Sequence, residues 1–388
     1  MPSEFYDAVI VGAGFSGIQQ LYLLLRLGLT VKVIDKASGP GGTWYWNRYP
    51  GAPSNRVLHS YGFSWDRYKM GMAAKLAVHG HLDAQEILEY LEGVVKRHEL
   101  QNHIQFNTSV LLAKWNDDAR TWTVETSDGV FACLYFITAV GLVTEPSWPS
   151  IPSRSTFQGD LLHVACWPKQ YQLEGKKVAV IRSGDRRPPE QELFNRENAD
   201  FVDVAENLIA NFTTHGIKLV DGEVHEVDVV ICTNEDNDPD GPYSQIYISG
   251  RSGLPLSEHW MATHSSNMGL AVNNFPNLFM VNGPLTPQAN PPIAIESQSE
   301  FIEELIAYAE KRRADRSITP VIESKVESDF AWGMTCTSIS DRILSFQGTD
   351  VDVDVRPTIG SIFTAELHFH LQMMLQSRET AFASFRRS

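Results

Sequence analysis

The chain has 388 residues, with 32 basic and 47 acidic side chains and a formal charge of −15. At about 150 residues per domain there is room for two compact domains and a small third. With 43% hydrophobic and 20% charged residues, the composition excludes wholesale disorder, a collagen-like repeat and a small disulfide scaffold. The acid excess argues against a nucleic-acid-binding surface, which needs clustered Lys and Arg. Anionic ligands remain open to it, because a helix N-terminus binds them without net positive charge. The four cysteines (Cys133, Cys166, Cys232, Cys336) are widely spaced and form no CxxC, so they read as free thiols in a reducing compartment. The N-terminus enters an apolar run at once, with no basic region or cleavage site before it. The apolar stretch 21–33 carries Arg26 and Lys32 and is too short to span a bilayer. The expectation is a soluble cytoplasmic protein that meets neither nucleic acid nor membrane. Its oligomeric state cannot be read from the sequence.

Residues 6–11 (YDAVIV) have the apolar, β-branched character of a buried parallel strand. Gly12-Ala13-Gly14-Phe15-Ser16-Gly17 follows, then a helical apolar pattern from Ile18 to Leu27, with Gly28 at the C-cap. A second strand, Thr30–Ile34, ends at Asp35 and Lys36. This is a strand–helix–strand start with GxGxxG at the first turn and an acid about 20 residues on. Gly12 permits the tight turn, Gly14 lets the backbone approach a pyrophosphate, and Gly17 lets helix pack on strand. The helix N-terminus offers N–H groups to the phosphates. Asp35 is placed to accept from a ribose 2′-OH, which disfavours a 2′-phosphate there. The fold expected is α/β, a Rossmann-like three-layer dinucleotide-binding domain.

Residues 39–51 read Gly-Pro-Gly-Gly-Thr-Trp-Tyr-Trp-Asn-Arg-Tyr-Pro-Gly. A glycine-rich turn followed by an aromatic run supplies close backbone approach and flat walls for a large ring system. An NAD dehydrogenase would continue into a helix here. After GAGFSG, this segment resembles the class B flavoprotein monooxygenases, specifically the Baeyer–Villiger group. Phe157, Gly159, His163, Trp167 and Pro168 fit that group's FxGxxxHxxxW[P/D] fingerprint. Phe194-Asn195-Arg196-Glu197-Asn198, Asn274–Phe279 and Gly283-Pro284 resemble further family segments, and the resemblance fades after about residue 335. It implies FAD and NADPH as cofactors. Gly12, Gly14, Phe15, Ser16, Gly17, Asp35, Lys36, Gly42, Thr43, Trp44, Asn47 and Tyr49 would be the FAD-binding residues.

Asp83-Ala-Gln-Glu86 is a capping-box pattern opening a helix with Ile87, Leu88, Leu91, Val94 and Val95 at helical spacing. Short strands follow at 103–106, 110–115, 122–126 and 130–138, with Asp128-Gly129 as a hairpin turn. This β-meander precedes a return to the parallel sheet at 136–141. The proline-bearing stretch 145–154 is the first linker. The expected division is 1–150 for the first part of the FAD domain and 151–233 for a linker with a reduced, NADPH-domain-like region. Residues 234–334 return to the FAD domain, and 335–388 form a divergent C-terminal segment.

The second dinucleotide site fails on inspection. Lys176-Lys177 leads into a good strand at 178–181, but Arg182 stands where the first glycine belongs. Gly184 remains, and Asp185-Arg186-Arg187-Pro188-Pro189 follows. Two prolines there bar a long helix. Strands are expected at 201–204, 217–220 (with an Asp221-Gly222 turn) and 227–232. Thr233-Asn234-Glu235-Asp236 replaces a glycine-containing turn of the family. Ser299–Arg313 is expected as an amphipathic helix with Phe301, Ile302, Leu305, Ile306 and Ala309 on one face. Asp350-Val-Asp-Val-Asp354 reads as a solvated edge strand. His368 and His370 read as surface residues, because two histidines without a third ligand make no metal site.

The resemblance implies a chemistry in which NADPH reduces FAD and the reduced flavin takes O₂ to a C4a-peroxide. One oxygen then passes to a small-molecule ketone or related substrate, in biosynthetic or secondary metabolism. It also implies an Arg–Asp pair beside the flavin. By context the Arg falls on Arg187, with Arg186 competing, and the Asp position falls on Asn55. His163 organises the linker and is not a general base. The alternative is an FAD-binding protein that has lost NADPH-driven oxygenation, either redox-neutral or a non-catalytic remnant.

Overall fold

The computed structural model describes residues 4–49, 62–68, 82–141, 146, 148–168, 170–181, 199, 202–204, 206–233, 242–261, 265–286, 291–316, 319–329, 332 and 385–387. The chain divides into two units: one of residues 1–45, 51–144 and 237–388, the other of 46–50 and 145–236.

The first unit opens with β1 (Glu4–Val11), α1 (Phe15–Arg26) and β2 (Val31–Ile34). Strand β2 pairs parallel with β1, Ala8 opposite Val31 through Val11 opposite Ile34. Helix α1 ends because Gly28 takes φ +79, a value that glycine adopts without a Cβ penalty. The short α2 (Thr43–Trp46) lies where the chain passes to the second unit. Helix α3 (Ala84–Arg97) begins with the expected capping box: Asp83 accepts from the Glu86 N–H and Glu86 reaches back to the Asp83 N–H. Next come β3 (Ile104–Gln105), β4 (Val110–Asn116), β5 (Thr121–Thr126) and β6 (Gly129–Thr138). Strands β4, β5 and β6 form the antiparallel meander, and β6 then runs parallel beside β1.

Alternate residues of β1 point to opposite faces, as a strand requires. Ala8 and Ile10 join one apolar cluster, with Ile18, Leu21 and Leu24 of α1 and Ile87, Leu91 and Val94 of α3. Val9 and Val11 join the other, with Trp115, Trp122 and Val124 of the meander. Each fully buried Ile, Leu or Val contributes about 1.5–3 kcal/mol.

In the second unit β7 (Asp160–His163), β8 (Val178–Ile181) and β12 (Val229–Cys232) form a parallel sheet with β12 central. Strands β9 (Ile209–Thr213), β10 (Gly216–Leu219) and β11 (Val224–Glu226) form an antiparallel sheet. Phe212 and Ile217 from it bury Val230 and Cys232. Residues 202–204, the described part of the strand expected at 201–204, are not extended in a sheet. The Asp203 carbonyl instead accepts from the N–H groups of Glu206 and Asn207 and makes a turn.

The chain returns to the first unit with β13 (Tyr247–Ser249), α4 (Leu256–Trp260), β14 (Leu278–Met280), α5 (Pro291–Arg316) and β15 (Ile322–Ser324). Strand β14 pairs parallel with the end of β6, so the parallel order is β14-β6-β1-β2-β3. Helix α5 packs on α1 and buries Ile302, Leu305, Ile306 and Ala309. It starts eight residues before Ser299, because Pro291 and Pro292 fall in its first turn, where a missing N–H costs nothing. Strand β16 (Phe385–Arg387) pairs with β15.

Asn55, Arg182, Gly184, Arg186, Arg187, 194–198, 234–236, 350–354, His368 and His370 lie outside the described residues. No described helix is long and apolar enough to cross a membrane. Among the described residues no three His, Cys, Asp or Glu side chains gather as a metal site.

Candidate dinucleotide site

The strand order of the first unit reverses between β1 and β6. β2 and β3 lie on one side of β1, while β6 and β14 lie on the other. Open parallel sheets bind ligands at the carboxyl ends of the strands flanking such a switch point. The glycine loop sits there, because Gly12 follows the last residue of β1 and Ala139 follows the last of β6.

The packing explains each glycine. Gly12 has φ +105, and a Cβ on it would lie 2.5 Å from the Ala139 carbonyl oxygen. A Cβ on Gly17 would lie 1.8 Å from the Gly12 carbonyl oxygen, so helix α1 could not approach β1 with any larger residue there. Gly14 is the N-cap of α1, with no side-chain capping bond and no acid in the first turn. An uncapped start of this kind is electropositive and suits an anion.

A second glycine turn completes the cradle. Gly42, at φ +56, lies against Gly14: a Cβ on Gly42 would fall 2.9 Å from the Gly14 Cα. The Gly41 N–H donates to the Ala13 carbonyl at 3.0 Å. Gly41 itself takes φ +137, and a Cβ there would meet the Leu88 side chain of α3 at 2.5 Å. Gly41 belongs to the cradle although no motif position singles it out; only its place in the Gly-Pro-Gly-Gly run points to it. Trp44 packs partly buried against the α1–α3 core, and the Tyr45 hydroxyl pairs with Ser38 Oγ at 2.6 Å.

Asp35 is only 9% exposed. Its Oδ2 accepts from the Ala13 N–H at 2.5 Å and its Oδ1 from the Ala37 N–H at 2.7 Å. The carboxylate thus ties the glycine loop to the end of β2, a role not visible in the sequence. Burial raises its pKa, against the two N–H groups and Lys36, which lower it. Thr138, which ends β6, pairs with the buried Tyr243 hydroxyl at 3.1 Å, another contact the sequence does not announce.

The remaining expected site residues divide differently. Asn47 and Tyr49 fall in the second unit, and the Tyr49 ring meets Trp167 edge-on with centroids 6.4 Å apart. Phe157, Gly159, His163 and Trp167 make contacts within that unit. Phe157 packs on Phe212. A Cβ on Gly159 would fall 2.4 Å from the Asp228 carbonyl oxygen. His163 is 1% exposed, and its Nδ1 accepts from the Ala165 N–H at 3.1 Å. That bond places the proton of the neutral ring on Nε2. Its ring also meets Trp148 edge-on. Trp167 is buried with Leu162, Val229 and Ile231.

With this geometry in place, likeness to known proteins is informative. Residues 9–185 match the family described as pyridine nucleotide-disulphide oxidoreductase. A phenazine N-monooxygenase of Lysobacter antibioticus is 28% identical, covering 86% of this chain and 87% of its own. A cyclohexanone 1,2-monooxygenase of Acinetobacter is 26% identical, covering 87% and 88%. The solved cyclohexanone monooxygenase of Rhodococcus sp. Phi1 bound to NADP⁺ matches with a TM-score of 0.84 at 27% identity, covering all of both chains. The class is thus that of the flavin-dependent monooxygenases. Within it the chain is similar to the Baeyer–Villiger group of class B flavoprotein monooxygenases. The alignment to the Lysobacter protein runs over 481 positions, more than the 388 residues present here. The relative therefore carries segments with no counterpart in this chain.

Proposed function

We propose that the first unit holds FAD and that the chain adds one oxygen atom from O₂ to a small-molecule ketone or related substrate in biosynthetic metabolism. The observation that supports this best is the double-glycine cradle. Gly12, Gly14 and Gly17 sit at the switch point, with Gly42 laid against Gly14. Bound flavin would supply the electron chemistry that lets O₂ react. The protein's own part is to bind, orient and exclude water. Gly14 and the uncapped start of α1 would receive the pyrophosphate, and Asp35, Lys36, Thr43 and Trp44 lie on the segments around it. Asn47 and Tyr49 are also proposed as cofactor-binding residues. Phe157, Gly159, His163 and Trp167 would act by holding the second unit's fold, not by proton transfer. Arg187 and Asn55 are the proposed catalytic residues, Arg187 as a cation for developing oxygen charge.

The test is a single turnover. The flavin-loaded protein is reduced chemically without oxygen, then mixed with ¹⁸O₂ and a panel of cyclic ketones. The expected product is a lactone carrying one ¹⁸O, in yield that falls at least about tenfold in Arg187→Ala. Reoxidation to hydrogen peroxide with no labelled product across the panel would count against oxygenation. It would favour the alternative of a flavin-binding protein that has lost it.

A further inference from the structure

We infer that the second unit does not hold a nicotinamide dinucleotide, although its parallel sheet is built on the strand where such a site would begin. The inference rests on the reading that FAD belongs to the first unit, and the two units supply the comparison. A dinucleotide half needs a buried strand, a glycine turn, a helix and a second strand beside the first. In the first unit β1 has all of these, with Ala8, Val9 and Ile10 fully buried and β2 paired along its outer side.

Strand β8 is the counterpart in the second unit, and it fails three tests. First, it pairs only with β12, Val178 opposite Val229 through Ile181 opposite Cys232. Among the described residues no strand lies along its other edge, so none of them supplies the strand that would carry the ribose-reading residue. Second, Val180 is 59% exposed and Val178 36% exposed, while their β12 neighbours Ile231 and Val229 are 7% and 0% exposed. A central parallel strand is covered on both faces, and β8 is not.

Third, the residues after the strand are wrong for the turn. Val11-Gly12-Ala13-Gly14-Phe15-Ser16-Gly17 sets the pattern, and Ile181-Arg182-Ser183-Gly184-Asp185-Arg186-Arg187 stands against it. Arg182 takes the place of Gly12, where φ is +105 and a Cβ would strike a carbonyl 2.5 Å away. Arg187 takes the place of Gly17, where a Cβ would strike backbone at 1.8 Å. Pro188 and Pro189 follow, and neither can donate the N–H bonds a continuing helix needs.

The test uses the flavin-loaded full chain. Without oxygen, NADPH and NADH are added separately and the flavin absorbance is followed, with dithionite as the positive control. In parallel, NADP⁺ is titrated by calorimetry, an arm that reads binding whether or not flavin is present. The expected result is complete bleaching by dithionite, none by either nicotinamide beyond buffer alone, and no saturable NADP⁺ binding up to about 1 mM. Saturable bleaching by NADPH or NADH, or saturable NADP⁺ binding below that concentration, would overturn the inference. A chain that takes up no FAD would count against the proposed function and leave the calorimetric arm to decide this one.

Discussion

At the scale of single residues, the site is made of backbone, and the glycines mark where a ligand must come close. Gly14 is the most discriminating. Its φ of −83 suits any residue, and a Cβ there would sit 3.3 Å from the Gly42 Cα, a contact relieved by a small shift. Gly14→Ala should therefore change folding stability by less than about 1 kcal/mol while filling the space the pyrophosphate needs. Denaturation with and without FAD checks this. The expected variant unfolds like the parent without flavin and has lost the stabilisation that FAD gives. A variant that keeps full FAD stabilisation would remove Gly14 from the site. The glycine pattern was legible in the sequence because each position follows from a rule of backbone geometry. The tie from Asp35 to the Ala13 N–H was not, because an acid at the end of β2 reads equally well as a ribose ligand.

At the scale of elements, local pattern served well wherever a segment's own residues decide its structure. The capping box at Asp83 and Glu86 and the alternating β1 are of this kind. Contacts between distant segments stayed hidden. Tyr49 sits in an aromatic run, and its ring meets Trp167, far along the chain. The Asn274–Phe279 segment, noted for its family likeness, is an anchor for the stretch that follows α5. Asn277 bonds the backbone of Pro320 and Ile322 through its side chain. The Asn273 N–H donates to Asp329 at 2.8 Å. Arg251 holds the buried Glu323 and also Asp117.

That anchor carries a pH signature. Burial pushes the Asp329 carboxyl up to about 6, with Glu323 adding to the rise and the Asn273 N–H opposing it. The folded value lies above the unfolded value of about 3.9, so folding favours the protonated form. The stability it contributes is full below about pH 4 and is lost as the pH rises through about 6. Asp329→Asn mimics the protonated side chain. It should match the parent near pH 4 and be more stable by up to ~3 kcal/mol above pH 6. Thermal unfolding across that range reads the difference. A gap that does not grow with pH would show that Asp329 titrates normally.

At the scale of the whole molecule, two units of unlike completeness share one chain. The first has the five parallel strands, the covering helices and the meander of a complete dinucleotide fold. The second keeps a three-stranded parallel sheet whose β8 edge is open among the described residues. Length is what the sequence expressed most plainly: 388 residues are fewer than the 481 positions of the Lysobacter alignment. Arg182 and the two prolines read as the place of the shortfall, because those residues break a backbone rule. The exposure of Val178 and Val180 was not, because burial depends on what covers a strand and not on its own apolar residues. The account as a whole rests on FAD in the first unit. The most direct measurement is the flavin content of the purified full chain after incubation with FAD and removal of free cofactor. The account predicts a single FAD per chain, retained through gel filtration with its visible absorbance. A colourless chain that takes up no FAD would contradict it.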